Sequence, residues 1–272
     1  MTDLKAKFDL AEQYTLKGDL HSAIAEYQEI LKCDPSLIQV KANLGDLYYT
    51  LGEISAAMTE YEDVVRIKPE YTLVLYRLGI CYFRATKFCM AIEVFNDIIH
   101  IENDLYMAQY WLALSYYHTG QIQKSIDAYQ LLRKKKPDTE LGLYQLAIVY
   151  KAAGKHEQAI ECLTKLLETD PSLLSTNYHL GCSYLGVGKI NEAMKHFESV
   201  LEMFPEHSGA KREVQALNSD QEMLNSYGVQ TPHNNDKVDL TANYHMQQAY
   251  KGFALLEKSF DYFKKQVNKE DS

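Results

Sequence analysis

The residue types that most often carry catalysis occur in this chain, but their spacing forms no catalytic or metal-binding signature. His156 and Glu157 begin like a zinc-protease motif, yet the second histidine that such a site needs is missing. The glycines from Gly181 to Gly188 are spaced like a phosphate-binding loop, but the sequence predicts the first inside a helix and the last in a turn, where they form no phosphate cradle. We therefore expect no enzyme activity, no cofactor and no metal.

Composition narrows the classes of partner. The 272 residues carry a formal net charge of -9, which disfavours nucleic acid, because affinity for phosphate backbones comes from clustered Lys and Arg. The five cysteines include no C-x-x-C pair and predict neither a disulfide framework nor a zinc knuckle. No secretory signal and no apolar run of about 18 residues is evident, so no membrane span is expected. These features favour a cytoplasmic protein.

A single repeating period organises about three quarters of the sequence. Five of the six prolines recur at one constant interval or at its double, and glycines recur midway between them. Two columns of this register have no exception, with Leu at 10, 44, 78, 112, 146 and 180, and Tyr at 14, 48, 82, 116, 150 and 184. Further small, aromatic and aliphatic columns follow at helical spacing. Each unit is therefore predicted to be two amphipathic helices, joined at the glycine and closed by the proline.

These columns resemble the tetratricopeptide repeat, a helix-turn-helix unit of about 34 residues. Six tandem units over residues 4–207 carry the pattern. Two departures are that the family's frequent Trp near the start of each unit is absent, and that the third unit has Thr86 and Asn103 in place of the turn glycine and the proline. The resemblance implies an all-α fold, namely a right-handed α-solenoid of antiparallel helix pairs. It also implies a concave groove that holds peptides or helices.

Beyond the repeats we expect three further segments. Residues 208–217 read as a polar-faced capping helix that completes a domain over residues 4–218, and residues 219–238 read as a linker. Residues 239–268 predict an amphipathic C-terminal helix, whose apolar seam must be buried against the array, a second copy of the chain or another protein. The seam is formed by Met246, Phe253, Leu256, Phe260 and Phe263.

The groove face follows from advancing 100° per residue along the first helix of each unit. Units one and two place mostly polar and acidic residues there, whereas units three to six place large apolar and aromatic ones, including tyrosines that recur once per unit as a ladder. Extended aromatic surface usually marks an interaction site, although the ladder could instead be packing between repeats. The predicted groove residues are Tyr76, Ile80, Phe83, Tyr110, Trp111, Leu114, Tyr117, Tyr144, Ile148, Tyr178 and His179.

Two functions are compatible with these features. The first is a non-enzymatic scaffold or adaptor that receives an apolar or aromatic peptide or helix of another protein in the groove, with the C-terminal helix as a self-occluding competitor. The second is a structural component that self-associates into a homo-oligomer through the C-terminal helix. The clamp with which some relatives grip acidic chaperone tails matches poorly, because only Asn43 and Arg77 agree with it and Glu12 would repel a carboxylate.

Overall fold

The computed structural model describes residues 2–137 and 140–226. Every regular element in these ranges is an α-helix, as the repeat pattern predicts. The helices are α1 Thr2–Lys17, α2 Leu20–Cys33, α3 Ile38–Leu51, α4 Ile54–Ile67, α5 Thr72–Arg84, α6 Phe88–Ile101, α7 Tyr106–His118, α8 Ile122–Lys135, α9 Glu140–Ala152, α10 His156–Thr169, α11 Leu174–Gly186, α12 Ile190–Met203 and α13 Ser208–Ser226.

The turn inside each repeat contains one residue with positive φ. In five of the repeats this residue is the predicted glycine, with φ between 71° and 84°. The third repeat uses Thr86 at φ 59°, a conformation that a β-branched side chain rarely adopts. The tight turn is therefore kept in the third repeat at the cost of local backbone strain.

The chain divides into two compact units, Met1–Ala153 and Gly154–Ser272. Within the first compact unit, helices α1 to α9 pack against their neighbours in chain order. Helices α10 to α13 do the same within the second compact unit. The Leu column supplies core residues, since Leu44, Leu78 and Leu112 are at most 5% exposed. The fold class predicted from the sequence, an α-solenoid of stacked helix pairs, is thus confirmed.

The small-residue column lets the two helices of a repeat approach closely. A Cβ atom added at Gly79 would lie 2.7 Å from the ring of Phe95, and one added at Gly45 would lie 2.6 Å from the ring of Tyr61. The Tyr column joins successive repeats, because the Tyr82 hydroxyl donates to Glu62 on the preceding α4 at 2.9 Å. The small-residue column therefore marks a contact within each repeat, and the Tyr column marks a contact between successive repeats.

The loop between repeats three and four lacks proline but is bound by a neighbouring side chain. Lys135 donates to the backbone carbonyl and to the side-chain oxygen of Asn103. The next residue, Lys136, places its ammonium 5.4 Å from the centre of the Tyr106 ring. Two members of the basic run 133–136 therefore contact the preceding inter-repeat loop and the first residue of α7.

The last described helix differs from the prediction in length. Helix α13 packs against α12 and buries Ala210 and Leu217 in one cluster with Phe197. It runs to Ser226, so the expectation of a linker from residue 219 is wrong for residues 219–226. The rest of that linker and the predicted helix over 239–268 lie outside the described residues, and so do the seam residues Met246, Phe253, Leu256, Phe260 and Phe263.

Candidate peptide-binding groove

The first helices of repeats three and four carry six of the predicted groove residues. Tyr76, Ile80 and Phe83 lie on α5, whereas Trp111, Leu114 and Tyr117 lie on α7, and all six are half-buried. The indole N–H of Trp111 donates to the Tyr76 hydroxyl at 3.0 Å. This bond ties α5 to α7 on the predicted groove side.

Aromatic rings surround Trp111 and fix its orientation. The ring of Phe83 meets it edge-on at 5.2 Å, Tyr110 does so at 5.6 Å, and Phe95 lies nearly parallel to it at 6.5 Å. Edge-on and offset arrangements at these distances are the favourable ones for aromatic pairs. We call Tyr76, Ile80, Phe83, Trp111, Leu114 and Tyr117 the aromatic floor.

A charged pocket adjoins this floor between α3 and α5. Asp46 accepts a hydrogen bond from the Tyr61 hydroxyl at 2.5 Å, and its other oxygen pairs with Arg77 at 2.6 Å. These three residues, with Tyr49, Thr50 and Ile80, line a pocket of about 340 Å³. Ile80 belongs to both features, so the pocket and the aromatic floor are continuous.

Burial controls the electrostatics of the pocket. It raises the pKa of Asp46 above the ordinary value, while the Tyr61 hydroxyl and the Arg77 guanidinium favour the charged form and oppose that rise. The pKa of Tyr61 is raised as well, mainly by burial and then by its bond to Asp46. The Tyr61 proton is therefore held firmly, and the hydroxyl acts as a fixed donor to the carboxylate.

The sequence predicted mostly polar and acidic residues on the groove face of repeats one and two, but it did not reveal this triad. Arg77 and Asp46 belong to different repeats and are distant in sequence, so no short motif reports the pair. The available signal was the repeat register, which places the two residues on facing positions of α3 and α5. Opposite charges at such positions would have predicted the pair.

The tyrosine ladder is mainly packing in three of its four positions. Tyr110 is only 8% exposed and stands edge-on to Tyr129 at 5.9 Å, so its assignment to open groove surface is wrong. Tyr76 packs on Phe95 at 6.2 Å, and Tyr178 packs on Phe197 at 5.8 Å. The cause is the same for all three rings, since each packs against the aromatic column on the second helix of its own repeat.

The remaining predicted groove residues are divided between the two compact units of the chain. Tyr144 and Ile148 are half-buried on α9, in the first unit. Tyr178 and His179 are half-buried on α11, in the second unit, where burial raises the pKa of Tyr178 to about 12. The aromatic floor on α5 and α7 is therefore the part of the predicted groove that the structure brings together.

The residues shared with the chaperone-tail clamp are already engaged. Arg77 is paired with Asp46, and the Asn43 amide donates to the Tyr27 hydroxyl at 3.1 Å. The Asn43 side-chain oxygen accepts from Gln39 at 2.8 Å. Both side chains are therefore already tied to neighbouring residues of the array, and Arg77 has its charge paired with Asp46.

Metal-binding clusters and membrane-spanning helices are both absent from the described part of the chain. Residues 2–137 and 140–226 hold no group of three or more His, Cys, Asp or Glu side chains arranged to bind a metal ion. No helix within the same ranges is both long enough and apolar enough to cross a bilayer. The five cysteines, which all fall within these ranges, form no disulfide.

Helix pairs that follow one repeated register and pack against their neighbours in chain order define the class of helical-repeat solenoids. Family models of the tetratricopeptide repeat match residues 38–71, 107–139, 141–173 and 174–207. The chain is a tetratricopeptide repeat protein.

Solved structures agree with this assignment, whereas a search of curated proteins found no match. The chain is similar to MamA, with 26% identity, a TM-score of 0.58, and coverage of 61% of this chain and 91% of MamA. It is similar in fold to YrrB, described as a TPR protein with an unusual peptide-binding site, at 14% identity and TM-score 0.60, over 68% and 96% of the two chains. It is also similar in fold to PilW, a type IV pilus biogenesis factor, at 17% identity and a TM-score of 0.62, with coverage of 80% of this chain and 99% of PilW.

Proposed function

We propose that this protein is a non-enzymatic scaffold that binds an apolar or aromatic segment of another protein on the aromatic floor of repeats three and four. The observation that carries the proposal is that Ile80, Phe83 and Trp111 remain partly accessible although they adjoin a packed core. Tryptophan in particular is among the side chains that dominate binding energy when a partner covers them. The family is known for protein binding, which agrees with this role.

The fixed geometry of the floor supports binding without much rearrangement. Trp111 is held by its bond to Tyr76 and by three rings, so little side-chain freedom remains to be lost when a ligand arrives. Low conformational cost is one of the main ways in which a surface gains affinity. A helix with apolar residues at spacings of three and four would match the floor, because two neighbouring helices α5 and α7 supply it.

The charged pocket would select the polarity of the segment at one end. Asp46 and Arg77 are each about 35% exposed in their side chains, so a ligand can reach both members of the pair. A ligand with a single charge would leave one member without its partner, which is costly in a half-buried site. We therefore expect ligands with amide or hydroxyl groups beside the pocket and apolar residues over the floor.

A library of random 16-residue peptides, displayed on phage and selected on the full chain, tests this function. We expect enriched peptides to carry apolar residues at helical spacing and to lose at least tenfold in affinity for a Leu114→Glu variant. The matched control is Leu131→Glu, which places the same charge on an exposed leucine of α8. Peptides that bind the Leu114→Glu variant as tightly as the native chain would refute binding on the floor.

Self-occlusion is a separate question that the same peptides address. If residues 239–268 occupied the floor, a tail near 1 mM effective concentration with an affinity of about 100 μM would weaken external peptides about tenfold. Deleting residues 239–272 would then restore the lost affinity. Homo-oligomerisation through that segment and a cytoplasmic location remain predictions from the sequence.

A further inference from the structure

The hydroxyl of Tyr129 differs from the other tyrosine hydroxyls in its column of the repeat. In this column, on the second helices, the first compact unit holds Tyr27, Tyr61, Phe95 and Tyr129. The Tyr27 hydroxyl accepts a hydrogen bond from the Asn43 amide at 3.1 Å, and the Tyr61 hydroxyl donates one to Asp46 at 2.5 Å. Tyr129 is fully buried, and its hydroxyl has no hydrogen-bond partner among the described residues. Burial of an unpaired hydroxyl is unfavourable, so this group needs an explanation.

The charged pocket shows what accompanies such a hydroxyl elsewhere in the array. Tyr61 lines that pocket, and Tyr129 stands at the same register position two repeats later. The other positions of the pocket recur with it on α7 and α9, which contact each other within the first compact unit. There Leu114 replaces Asp46, Tyr117 replaces Tyr49, His118 replaces Thr50, Gln145 replaces Arg77 and Ile148 replaces Ile80. We call these five residues together with Tyr129 the neutral counterpart of the charged pocket.

The substitutions in the neutral counterpart remove the acceptor that Tyr61 uses. A carboxylate accepts the Tyr61 proton in the charged pocket, whereas the side chain of Leu114 has no polar atom. The Gln145 side chain hydrogen-bonds to the hydroxyl of Tyr110 rather than to that of Tyr129. The described part of the chain therefore provides a donor at Tyr129 but no acceptor for it.

The electrostatics of the neutral counterpart favour an uncharged acceptor. Burial, together with Tyr110 and Tyr117, raises the pKa of Tyr129 above its ordinary value, so the hydroxyl keeps its proton and acts as a donor. Burial also lowers the pKa of His118, whose imidazole is therefore neutral at pH 7. Gln145 is uncharged, so a carboxylate buried beside it would lack a cation, which is costly. The ligand group that matches this site is an uncharged carbonyl oxygen.

We propose that the Tyr129 hydroxyl donates a hydrogen bond to an uncharged carbonyl oxygen of the segment that binds on the aromatic floor. The carbonyl enters where the half-buried Leu114 side chain turns aside, so it takes the place that the Asp46 carboxylate holds in the charged pocket. In a helical segment the carbonyls that are free to do so belong to Asn or Gln side chains and to the last turn of the backbone. This inference rests on the proposed function and names a polar contact of the same surface.

Removal of the hydroxyl alone, in Tyr129→Phe, tests the contact, and Phe95 in the same column shows that a phenyl ring fits this position. We expect the tightest peptide selected from the displayed library to bind the variant full chain about five- to tenfold more weakly, as measured by calorimetry. The urea midpoint of the variant should stay the same or rise, because an unpaired buried hydroxyl is lost. Tyr150→Phe is the matched control, since the Tyr150 hydroxyl accepts from Gln130 at 2.7 Å. It should lower the urea midpoint and leave the affinity unchanged.

Alanine substitutions in the peptide identify the acceptor. An Asn or Gln whose loss weakens binding to the native chain but not to Tyr129→Phe would be the acceptor, and a Tyr129→Phe effect without any such position would assign a backbone carbonyl of the last turn.

The outcomes separate this contact from the proposed function. Native affinity in Tyr129→Phe would overturn the contact, and so would equal affinity losses in Tyr129→Phe and Tyr150→Phe or a fall in the urea midpoint of Tyr129→Phe. If Leu114→Glu still weakens the same peptide in those cases, binding on the floor stands without this hydrogen bond. A peptide that neither Tyr129→Phe nor Leu114→Glu affects would refute both.

Discussion

The close approach of helices in repeat three makes a strong prediction for Gly79→Ala. Adding one methyl group usually stabilises a helix, because alanine is favoured over glycine by about 1 kcal/mol. Here the new Cβ atom would lie 2.7 Å from Phe95, about 1 Å inside normal carbon contact. Phe95 is fully buried and its ring is bounded by Tyr76 and Trp111, so it has little room to move.

The net effect follows from weighing these two contributions. Overpacking in a tight core costs about 1 to 3 kcal/mol, which exceeds the gain in helix propensity. We expect Gly79→Ala to destabilise the chain by about 1 kcal/mol and up to about 2 kcal/mol. The position in the repeat does not by itself set this cost, because repeat four carries Ala113 at the equivalent position, with Tyr129 in place of Phe95.

A double-mutant cycle with Phe95→Leu isolates the steric contribution. Leucine leaves space beside the helix axis, so Gly79→Ala should become neutral or stabilising in the Phe95→Leu background, with a coupling energy of about 1 to 2 kcal/mol. The assay is urea unfolding of the full chain followed by circular dichroism, which avoids the altered surroundings of Trp111. Additivity of the two changes to within about 0.5 kcal/mol would show that the ring does not limit the helix approach.

Three other predictions concern single sites. Tyr150→Ala should lower the free energy of unfolding by about 3 kcal/mol, because a buried ring is lost. Tyr144→Ala should cost less than half of that in the same urea assay, because Tyr144 is only half-buried. Equal losses would show that the ladder tyrosine Tyr144 is a core residue. Thr86→Gly should raise stability by about 1 kcal/mol by relieving the positive φ, and an unchanged midpoint would show that no strain is stored there. Burial and then Lys195 lower the pKa of His196 below its ordinary 6.5, so its protonation favours the unfolded chain and stability should fall as pH drops below about 6.5. His196→Gln should flatten this fall in unfolding experiments from pH 7.5 to 5.5, and an unaltered slope would assign the effect to other groups.

The fold could be predicted because a repeat displays each contact several times. A Leu column that recurs six times reveals a buried face, and a glycine that recurs at mid-repeat reveals a turn with positive φ. Thr86 shows that the turn persists when the glycine is missing, since the neighbouring repeats and helices impose it. The extent of α13 was not predictable in this way, because residues 219–226 have no repeat counterpart and contain residues typical of loops.

The site was less predictable because it depends on contacts between helices. Projection of one helix gives the direction of a side chain but not the ring that stands opposite, so Tyr110 was assigned to the surface although Tyr129 covers it. The pairing of Asp46 with Arg77 crosses repeats and was missed for the same reason. Trp111 was predicted to line the groove, but its bond to Tyr76 could not be read from sequence spacing.

Trp111 reports directly on ligand binding at the aromatic floor, because it is the only tryptophan of the chain. The measurement is the emission of Trp111 in the full chain during titration with the tightest peptide from the displayed library, with the Leu114→Glu and Leu131→Glu variants in parallel. We expect binding on the floor to give a saturable shift to shorter wavelength, with the same midpoint in Leu131→Glu and at least a tenfold higher midpoint concentration in Leu114→Glu. Saturable binding detected by calorimetry with no change in Trp111 emission would contradict it, because the ligand would then lie elsewhere.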